Sequence, residues 1–149
     1  MTCPFCAPEI KNSVFASTDN FLAIYNIAPI FPGHSLIIPR KHLVSMLDLE
    51  KKDYAEMMQL ASDVTQLLKK VFKADGFNWS IQEGTSAGQS IEHLHLHIVP
   101  RITGDSKRPG DWYPKIESNE GHLLDSESRE QITPEEMERI VDKLKEFNH

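Results

Sequence analysis

The segment Gly88–Arg101 reads GQSIEHLHLHIVPR, with three histidines alternating with two leucines at its centre. In an extended strand successive side chains point to opposite faces, so His93, His95 and His97 are predicted to share one face, opposite the leucines and Ile98. The polar face of a half-buried strand normally carries side chains of mixed kinds. Three copies of the side chain that titrates near neutral pH therefore call for a chemical explanation.

Two chemistries suit a row of imidazoles. In the first, the histidines bind a catalytic zinc ion that keeps an open coordination position. In the second, one imidazole is a nucleophile that attacks a phosphoryl or acyl group, while its neighbours donate N–H groups to the substrate oxygens. A polar strand face without catalytic function is a third interpretation. The segment alone leaves these alternatives open.

The composition restricts the class of protein. A chain of 149 residues is long enough for one hydrophobic core and is predicted to form a single domain. Its 16 basic and 22 acidic residues give a net charge of −6, which argues against broad binding to nucleic acids or anionic membranes. The sequence shows neither a basic leader followed by an apolar run nor a membrane-spanning stretch. A cytoplasmic protein that handles small phosphate ligands is the expectation.

Cys3 and Cys6 are the only cysteines of the chain and form a C-x-x-C pair. A thioredoxin-like redox motif needs a strand before it, yet only two residues precede Cys3. The pair is also half of a tetrahedral zinc site, which histidines would have to complete because no other cysteine exists. A pair of unligated thiols is the remaining alternative.

The first third of the chain has β-type patterns. Residues 13–26 predict a hairpin whose turn lies at Thr18–Asn20, a cluster of turn-forming residues. A break at Pro32–Gly33 follows, and an apolar run from His34 to Pro39 predicts a third strand. Three locally connected strands indicate an antiparallel meander.

Two helices are predicted farther along. From Asp48 to Phe72 apolar residues recur every three or four positions, with Asp48 as a candidate N-cap and Gly76 just beyond the end. The second helix begins after Thr133, where Thr-Pro-Glu-Glu supplies an N-cap, a proline at the first helical position and Glu136 for a capping box. Its apolar stripe is predicted to dock on the body of the domain or on a second copy.

Between the helices, residues 77–82 return to a β-type pattern, and the small-residue loop 83–88 leads to Gln89. Small residues let backbone N–H groups approach a phosphate closely, although an ordinary turn has the same composition. After Arg101 a long polar stretch contains Trp112 and Tyr113, which are predicted to pack on the core, on a base or on a partner.

The motif His-Leu-His-Leu-His-Ile-Val-Pro resembles the histidine triad of the HIT superfamily. Asn26, the Pro32–His34 turn, the long helix and Ala87–Gln89 stand in the family's order. The resemblance implies a single HIT domain over residues 1–149, with 1–101 as the core, 102–131 as a variable loop region and 132–149 as a C-terminal helix. The implied fold class is α+β, an antiparallel sheet of about five strands with helices on one side, continued across a homodimer.

Among the branches of the family, the chain is similar to the fragile histidine triad type of dinucleoside polyphosphate hydrolases. His97 stands where transferases and phosphorylases typically carry glutamine, which favours transfer to water. The resemblance implies that His95 attacks the α-phosphorus of a nucleotide substrate to give a nucleotidyl-histidine, flanked by His93 and His97. The implied substrate contacts are Asn26 near the ribose, Gln89 and His97 on the phosphates, and His34 behind them.

A structural zinc ion is also implied. Some relatives carry one on positions that match Cys3, Cys6, His42 and His93, although the fragile histidine triad enzymes generally lack the cysteine pair. A zinc ion so bound has no open position, which disfavours the catalytic-zinc alternative. Mg²⁺ is a candidate ion for the substrate phosphates, because it would neutralise polyphosphate charge. A nucleoside phosphoramidase and a nucleotide-binding signalling module with slow turnover are the alternatives to the hydrolase.

Overall fold

The computed structural model describes residues 3–111 and 129–148. Five strands of these ranges form one antiparallel sheet in the order β1-β2-β3-β5-β4. They are β1 (Val14–Ser17), β2 (Phe21–Tyr25), β3 (Ser35–Pro39), β4 (Gly76–Ser80) and β5 (Leu96–Arg101). The two α-helices of the described part are α1 (Lys51–Phe72) and α2 (Pro134–Phe147). The predicted α+β architecture and the antiparallel meander are confirmed.

Strand β5 is the last of these five strands in the chain, but it lies inside the sheet between β3 and β4. It pairs antiparallel with β3 on one side and β4 on the other, so that His97 lies opposite Leu36 and Ser80. All six residues of β5 are buried. A strand flanked on both edges and covered on both faces fixes its side chains firmly, and this placement carries His97 into the interior of the protein.

The core lies between the sheet and one face of α1. Buried α1 side chains include Met57, Ala61 and Leu68, none of which has exposed surface. Fully burying a side chain such as Leu68 stabilises the fold by about 1.5–3 kcal/mol relative to leaving it exposed. Helix α2 packs on α1 and β1 through its own apolar stripe. No helix of the described ranges combines the length and the hydropathy needed to cross a membrane.

The helix boundaries differ in part from the predictions. Asp48 is not the N-cap of α1, because Met46–Asp48 forms a separate 3-10 turn and the helix starts after Glu50. Glu50 and Asp53 cap each other's backbone N–H groups, which fixes the start there. At the C-terminal end Lys73 takes the left-handed conformation, and the α2 N-cap at Thr133 is as predicted.

The histidine segment is only partly a strand. The prediction that His93, His95 and His97 share one strand face is wrong, since β5 begins at Leu96. The ladder with β3 ends at the pair Ile37–Leu96, two residues before Pro39, the last residue of that strand, which has no N–H to donate. Upstream of this point the backbone leaves the sheet, and the Leu94 N–H donates to the Leu43 carbonyl 2.6 Å away.

A tight turn before β3 positions His34. Gly33 has a φ of +94°, and a Cβ at this position would lie 2.7 Å from Cγ of Pro100. Only glycine fits such a conformation and such a close approach. The Gly33 N–H donates to the Tyr25 hydroxyl oxygen at 2.9 Å, so the turn is held on its own strand pair. Trp112 and Tyr113 lie outside the described residues.

Candidate active site and metal centre

Cys3, Cys6, His42 and His93 converge in space. The Nδ1 atom of His93 lies 3.4 Å from Sγ of Cys3 and 3.5 Å from Sγ of Cys6, and Nδ1 of His42 lies 3.3 Å from Sγ of Cys6. All four ligand atoms lie within 4.8 Å of one another. Tetrahedral zinc with ordinary bond lengths places nitrogen and sulfur ligands roughly 3.6 Å apart. These four residues can therefore hold a metal ion.

The backbone prepares His93 for this task. Its Nε2–H donates to the Pro39 carbonyl at 2.9 Å, so the lone pair of Nδ1 points toward the two thiols. Burial lowers the pKa of His93, which favours the neutral imidazole that a metal ion requires. The two cysteines are brought together by a short turn in which the Cys6 N–H donates to the Cys3 carbonyl at 3.1 Å.

His95 is oriented in the opposite sense. Its Nδ1–H donates to the backbone carbonyl of His93 at 2.7 Å, since a carbonyl can only accept. The proton is thus held on Nδ1, and Nε2 is the nitrogen with a lone pair. The side chain is only 2% exposed and lines a cavity. An imidazole in this tautomer is ready to act as a nucleophile.

His34 and His97 form a second oriented pair. The Ile30 N–H donates to Nδ1 of His34 at 3.1 Å, so the proton of His34 lies on Nε2, which donates to Nδ1 of His97 at 2.9 Å. His97 therefore carries its proton on Nε2 and is a hydrogen-bond donor on that side. Burial, reinforced by the charge of Arg129, lowers the pKa of His34 to about 3. His34 is neutral at physiological pH.

The cavity beside these histidines has a volume of about 370 Å³. That size lies within the range of ~300–1,000 Å³ that is usual for small-ligand sites. Its walls are mostly apolar, and Phe5, which lies between the two cysteines in sequence, contacts His95 edge to face at 5.2 Å. The polar lining includes Asn26, His95, His97 and Arg129. An apolar chamber with polar groups at the histidines suits a ligand that has a flat apolar part and an anionic part.

Two predicted substrate contacts have different surroundings. Asn26 follows β2 and lines the cavity, where its Oδ1 accepts from the Ala28 N–H at 2.9 Å and its Nδ2 lies 3.3 Å from Nε2 of His34. Gln89 is not among the cavity-lining residues. Its amide bonds its own surroundings, accepting from the Gly84 N–H at 2.8 Å and donating to the Ile91 carbonyl at 3.1 Å. A phosphate contact of Gln89 stays a prediction.

Arg129 lines the cavity and was missed by sequence analysis. Its Nε–H and an Nη2–H both donate to the Ala28 carbonyl, at 2.9 and 2.7 Å, and the side chain is 5% exposed. The segment is anchored further by the Ile132 N–H, which donates to the Ile27 carbonyl at 2.8 Å. No motif or spacing marks this arginine, because it lies in the long polar stretch and shares no periodicity with the histidines.

Comparisons with known proteins show the family of the chain. A bis(5'-adenosyl)-triphosphatase of Dictyostelium discoideum is 30% identical over 147 residues, which is 97% of this chain and 93% of the relative. A bis(5'-nucleosyl)-tetraphosphatase (asymmetrical) of Schizosaccharomyces pombe is 36% identical over 76% of this chain, which spans only 63% of that relative. A model of the HIT domain matches residues 7–104. The chain belongs to the HIT domain family.

Solved structures show the same HIT fold. The crystal structure of a zinc-bound histidine triad family protein from Mycobacterium smegmatis superimposes with a TM-score of 0.68 at 29% identity. The match covers 98% of this chain and 94% of that protein. Within the HIT domain the three histidines are divided between two sites: His93 belongs to the metal-ligand group, whereas His95 and His97 line the cavity.

Proposed function

We propose that this protein is a nucleotidyl hydrolase that cleaves dinucleoside polyphosphates at the α-phosphorus and releases a nucleoside monophosphate. The observation that carries the proposal is the orientation of His95, whose Nδ1–H is held by the His93 carbonyl while its ring lines the cavity. The names of the two curated relatives, a triphosphatase and a tetraphosphatase of dinucleosides, support this class of substrate.

In the first step Nε2 of His95 attacks the α-phosphorus. The N–P bond forms as the P–O bond to the leaving nucleotide breaks, and that nucleotide departs with the electron pair on its phosphate oxygen. The imidazole becomes positively charged, and the His93 carbonyl stabilises the Nδ1–H side of the ring. The Nε2–H of His97, set by the bond from His34, donates to a non-bridging phosphate oxygen as charge develops.

In the second step water attacks the same phosphorus. The N–P bond breaks and its electron pair returns to His95, while a water proton is released to solvent. The net reaction consumes one water and gives a nucleoside monophosphate and the remaining nucleotide. The apolar walls of the cavity are proposed to accommodate the base, with Asn26, which lines the cavity, as the proposed ribose contact.

Zinc is the metal that we propose for the Cys3, Cys6, His42 and His93 group. Two thiolates and two imidazoles are the donor set of structural zinc, and the zinc-bound mycobacterial relative supports the choice. Four protein ligands leave no open position, so the ion supplies stability rather than catalysis. Thiol ligands favour a reducing compartment, in keeping with the cytoplasmic location predicted from sequence. Mg²⁺ on the substrate phosphates stays a prediction.

We also propose that the protein is a homodimer whose sheet continues across the two-fold axis. Strand β4 is an edge strand, and its Phe77 and Trp79 side chains are 45% and 38% exposed. The unpaired N–H and C=O groups of an edge strand can pair with a strand of another chain, and neighbouring exposed aromatic rings are typical of an interface. Light scattering after gel filtration should give a dimer for the wild type and a monomer for Phe77→Glu. A control variant, Phe147→Glu at the end of α2, should remain dimeric, and a monomeric wild type contradicts this proposal.

The proposed reaction is tested by separating the products formed from diadenosine triphosphate. AMP and ADP should appear with the wild-type protein and not with His95→Ala. Adenosine 5′-phosphoramidate, tested in parallel, separates polyphosphate hydrolysis from the phosphoramidase alternative. Full turnover by His95→Ala would sink the proposal, as would tight nucleotide binding by a wild type without turnover, which fits a binding module instead.

A further inference from the structure

A polyphosphate substrate raises an electrostatic question at this site. Each phosphate brings negative charge to a chain whose own net charge is −6. The buried His34 is neutral, with a pKa of about 3. It donates a hydrogen bond to His97 but supplies no positive charge. Among the residues that line the cavity in the described ranges, Arg129 is the single arginine or lysine. Attraction of the phosphates at neutral pH therefore points to this side chain.

We propose that Arg129 is a substrate-binding residue that holds the phosphates of the nucleotide at the histidines. The inference rests on the proposed function, since it names the group that meets the anionic part of the same substrate. Arginine suits the task because it is charged at every relevant pH and its planar fork matches two phosphate oxygens.

The surroundings of Arg129 hold its guanidinium in place in advance. Two of its N–H groups donate to the Ala28 carbonyl, and the N–H of the same Ala28 donates to Oδ1 of Asn26. Both backbone groups of Ala28 are thus hydrogen-bonded, the carbonyl to Arg129 and the N–H to Asn26, the predicted ribose contact. Because the side chain is 95% buried, little conformational entropy remains to be lost when a phosphate binds.

The field of Arg129 reaches the imidazoles. After burial itself, the arginine is the largest cause that lowers the pKa of His34, which lies 2.9 Å from His97. A cation whose charge acts on His34 acts also on a phosphate bound against the neighbouring His97. The cavity and the hydrogen bonds to Ala28 establish the position of the arginine independently of that pKa.

The test compares the binding of ADP with the binding of adenosine, which has the same base and ribose but no phosphate. Calorimetric titration is carried out with the wild type, Arg129→Gln and Arg129→Lys. Loss of a charged hydrogen-bond partner should weaken ADP binding about 10- to 100-fold in Arg129→Gln and leave adenosine within about twofold. Arg129→Lys, which keeps the charge but not the fork, should lie between wild type and Arg129→Gln.

Arg139→Gln is the matched control. It removes the same charge from an exposed position on α2 that does not line the cavity, and it should bind both ligands as the wild type does. Equal weakening of ADP binding and adenosine binding in Arg129→Gln overturns the proposal. Loss of the hydrogen bonds that hold Ala28 in the cavity wall would by itself have that effect. Unchanged ADP binding also overturns it. A wild type that binds ADP but hydrolyses nothing contradicts the hydrolase, while the ADP comparison still decides the role of Arg129.

Discussion

His93 and His95 are separated by one residue, yet their rings have opposite orientations. In His93 the Pro39 carbonyl takes the Nε2–H and Nδ1 faces two thiols. In His95 the carbonyl of His93 takes the Nδ1–H, so that Nε2 has the lone pair. The comparison teaches that the backbone acceptor, rather than the place in the motif, decides whether an imidazole is arranged as a metal ligand or as a nucleophile.

The two groups also differ in their access to solvent. Cys6 and His42 are exposed, whereas His95 is 2% exposed and His97 is fully buried. The metal-ligand group therefore extends from the buried His93 to the surface at Cys6 and His42, whereas the cavity histidines lie inside the fold. A substitution in the metal-ligand group is expected to change stability, whereas a substitution of a cavity histidine is expected to change turnover. Experiments can separate the two groups on this basis.

The largest expected effect comes from His95→Ala. Removing the nucleophile should lower kcat for diadenosine triphosphate by at least about 10⁴-fold. The midpoint of urea unfolding should change little, because the metal-ligand group is untouched. Steady-state kinetics and urea titration of the same preparation measure both quantities. A kcat within tenfold of wild type would erase the proposed distinction between the two histidines.

The complementary variant is Cys6→Ser. Loss of a metal ligand should lower the free energy of unfolding by about 4 kcal/mol, if the Kd of the wild type for zinc is about 1,000-fold below the zinc concentration used. Zinc content by mass spectrometry and thermal unfolding are the measurements, with chelator-treated wild type as the control. The kcat of the zinc-free but folded protein should stay far above that of His95→Ala. An unfolding midpoint that does not respond to zinc would contradict the assigned role.

The dependence of stability on pH should reveal the titration of His34, which is hydrogen-bonded to the cavity histidine His97. His34 has a pKa of about 3 in the folded protein against about 6.5 when unfolded, so below pH 6.5 the unfolded chain binds a proton that the folded one does not. Stability is therefore lost as the pH falls from about 6.5 toward 3, by about 1.4 kcal/mol per pH unit from this group. Urea titrations at several pH values should show that the unfolding free energy of His34→Gln declines less steeply than that of the wild type. Parallel declines would contradict the low pKa of His34.

The smallest effect is expected far from both groups. The carboxylate of Glu56 on α1 accepts hydrogen bonds from Thr18 and from the backbone and side-chain amides of Asn20, and so holds the β1–β2 turn. The first of these bonds is the main reason that the pKa of Glu56 is lowered. In a solvent-exposed setting Glu56→Gln should cost about 1 kcal/mol of unfolding free energy. Turnover and zinc content should not change, and a change in either would show that the turn communicates with the sites.

Local sequence patterns predicted most of the fold. The hairpin, the third strand and both helices follow from period, turn residues and caps that act within a few positions. Asp48 failed as an N-cap because Glu50 and Asp53 form a reciprocal pair two residues later. The histidine strand begins only at Leu96 because its ladder with the distant strand β3 ends at Ile37, and periodicity does not reveal where that pairing stops.

The sites were predictable to the extent that a motif records them. The C-x-x-C pair required histidine partners, and the family resemblance supplied His42 and His93, which the structure places together. Arg129 carries no such record. It reaches the cavity because the segment before α2 bonds to the Ile27 and Ala28 carbonyls, a contact across 101 residues of chain.

The central claim is that His95 forms a covalent bond to the nucleotide. The most direct measurement is a rapid alkaline quench of wild-type protein during turnover of diadenosine triphosphate, followed by peptide mass spectrometry. We expect an adenylyl group on His95, formed and consumed at rates that match turnover, and no such adduct in His95→Ala. Turnover without an adduct, or an adduct on another histidine, would contradict the account.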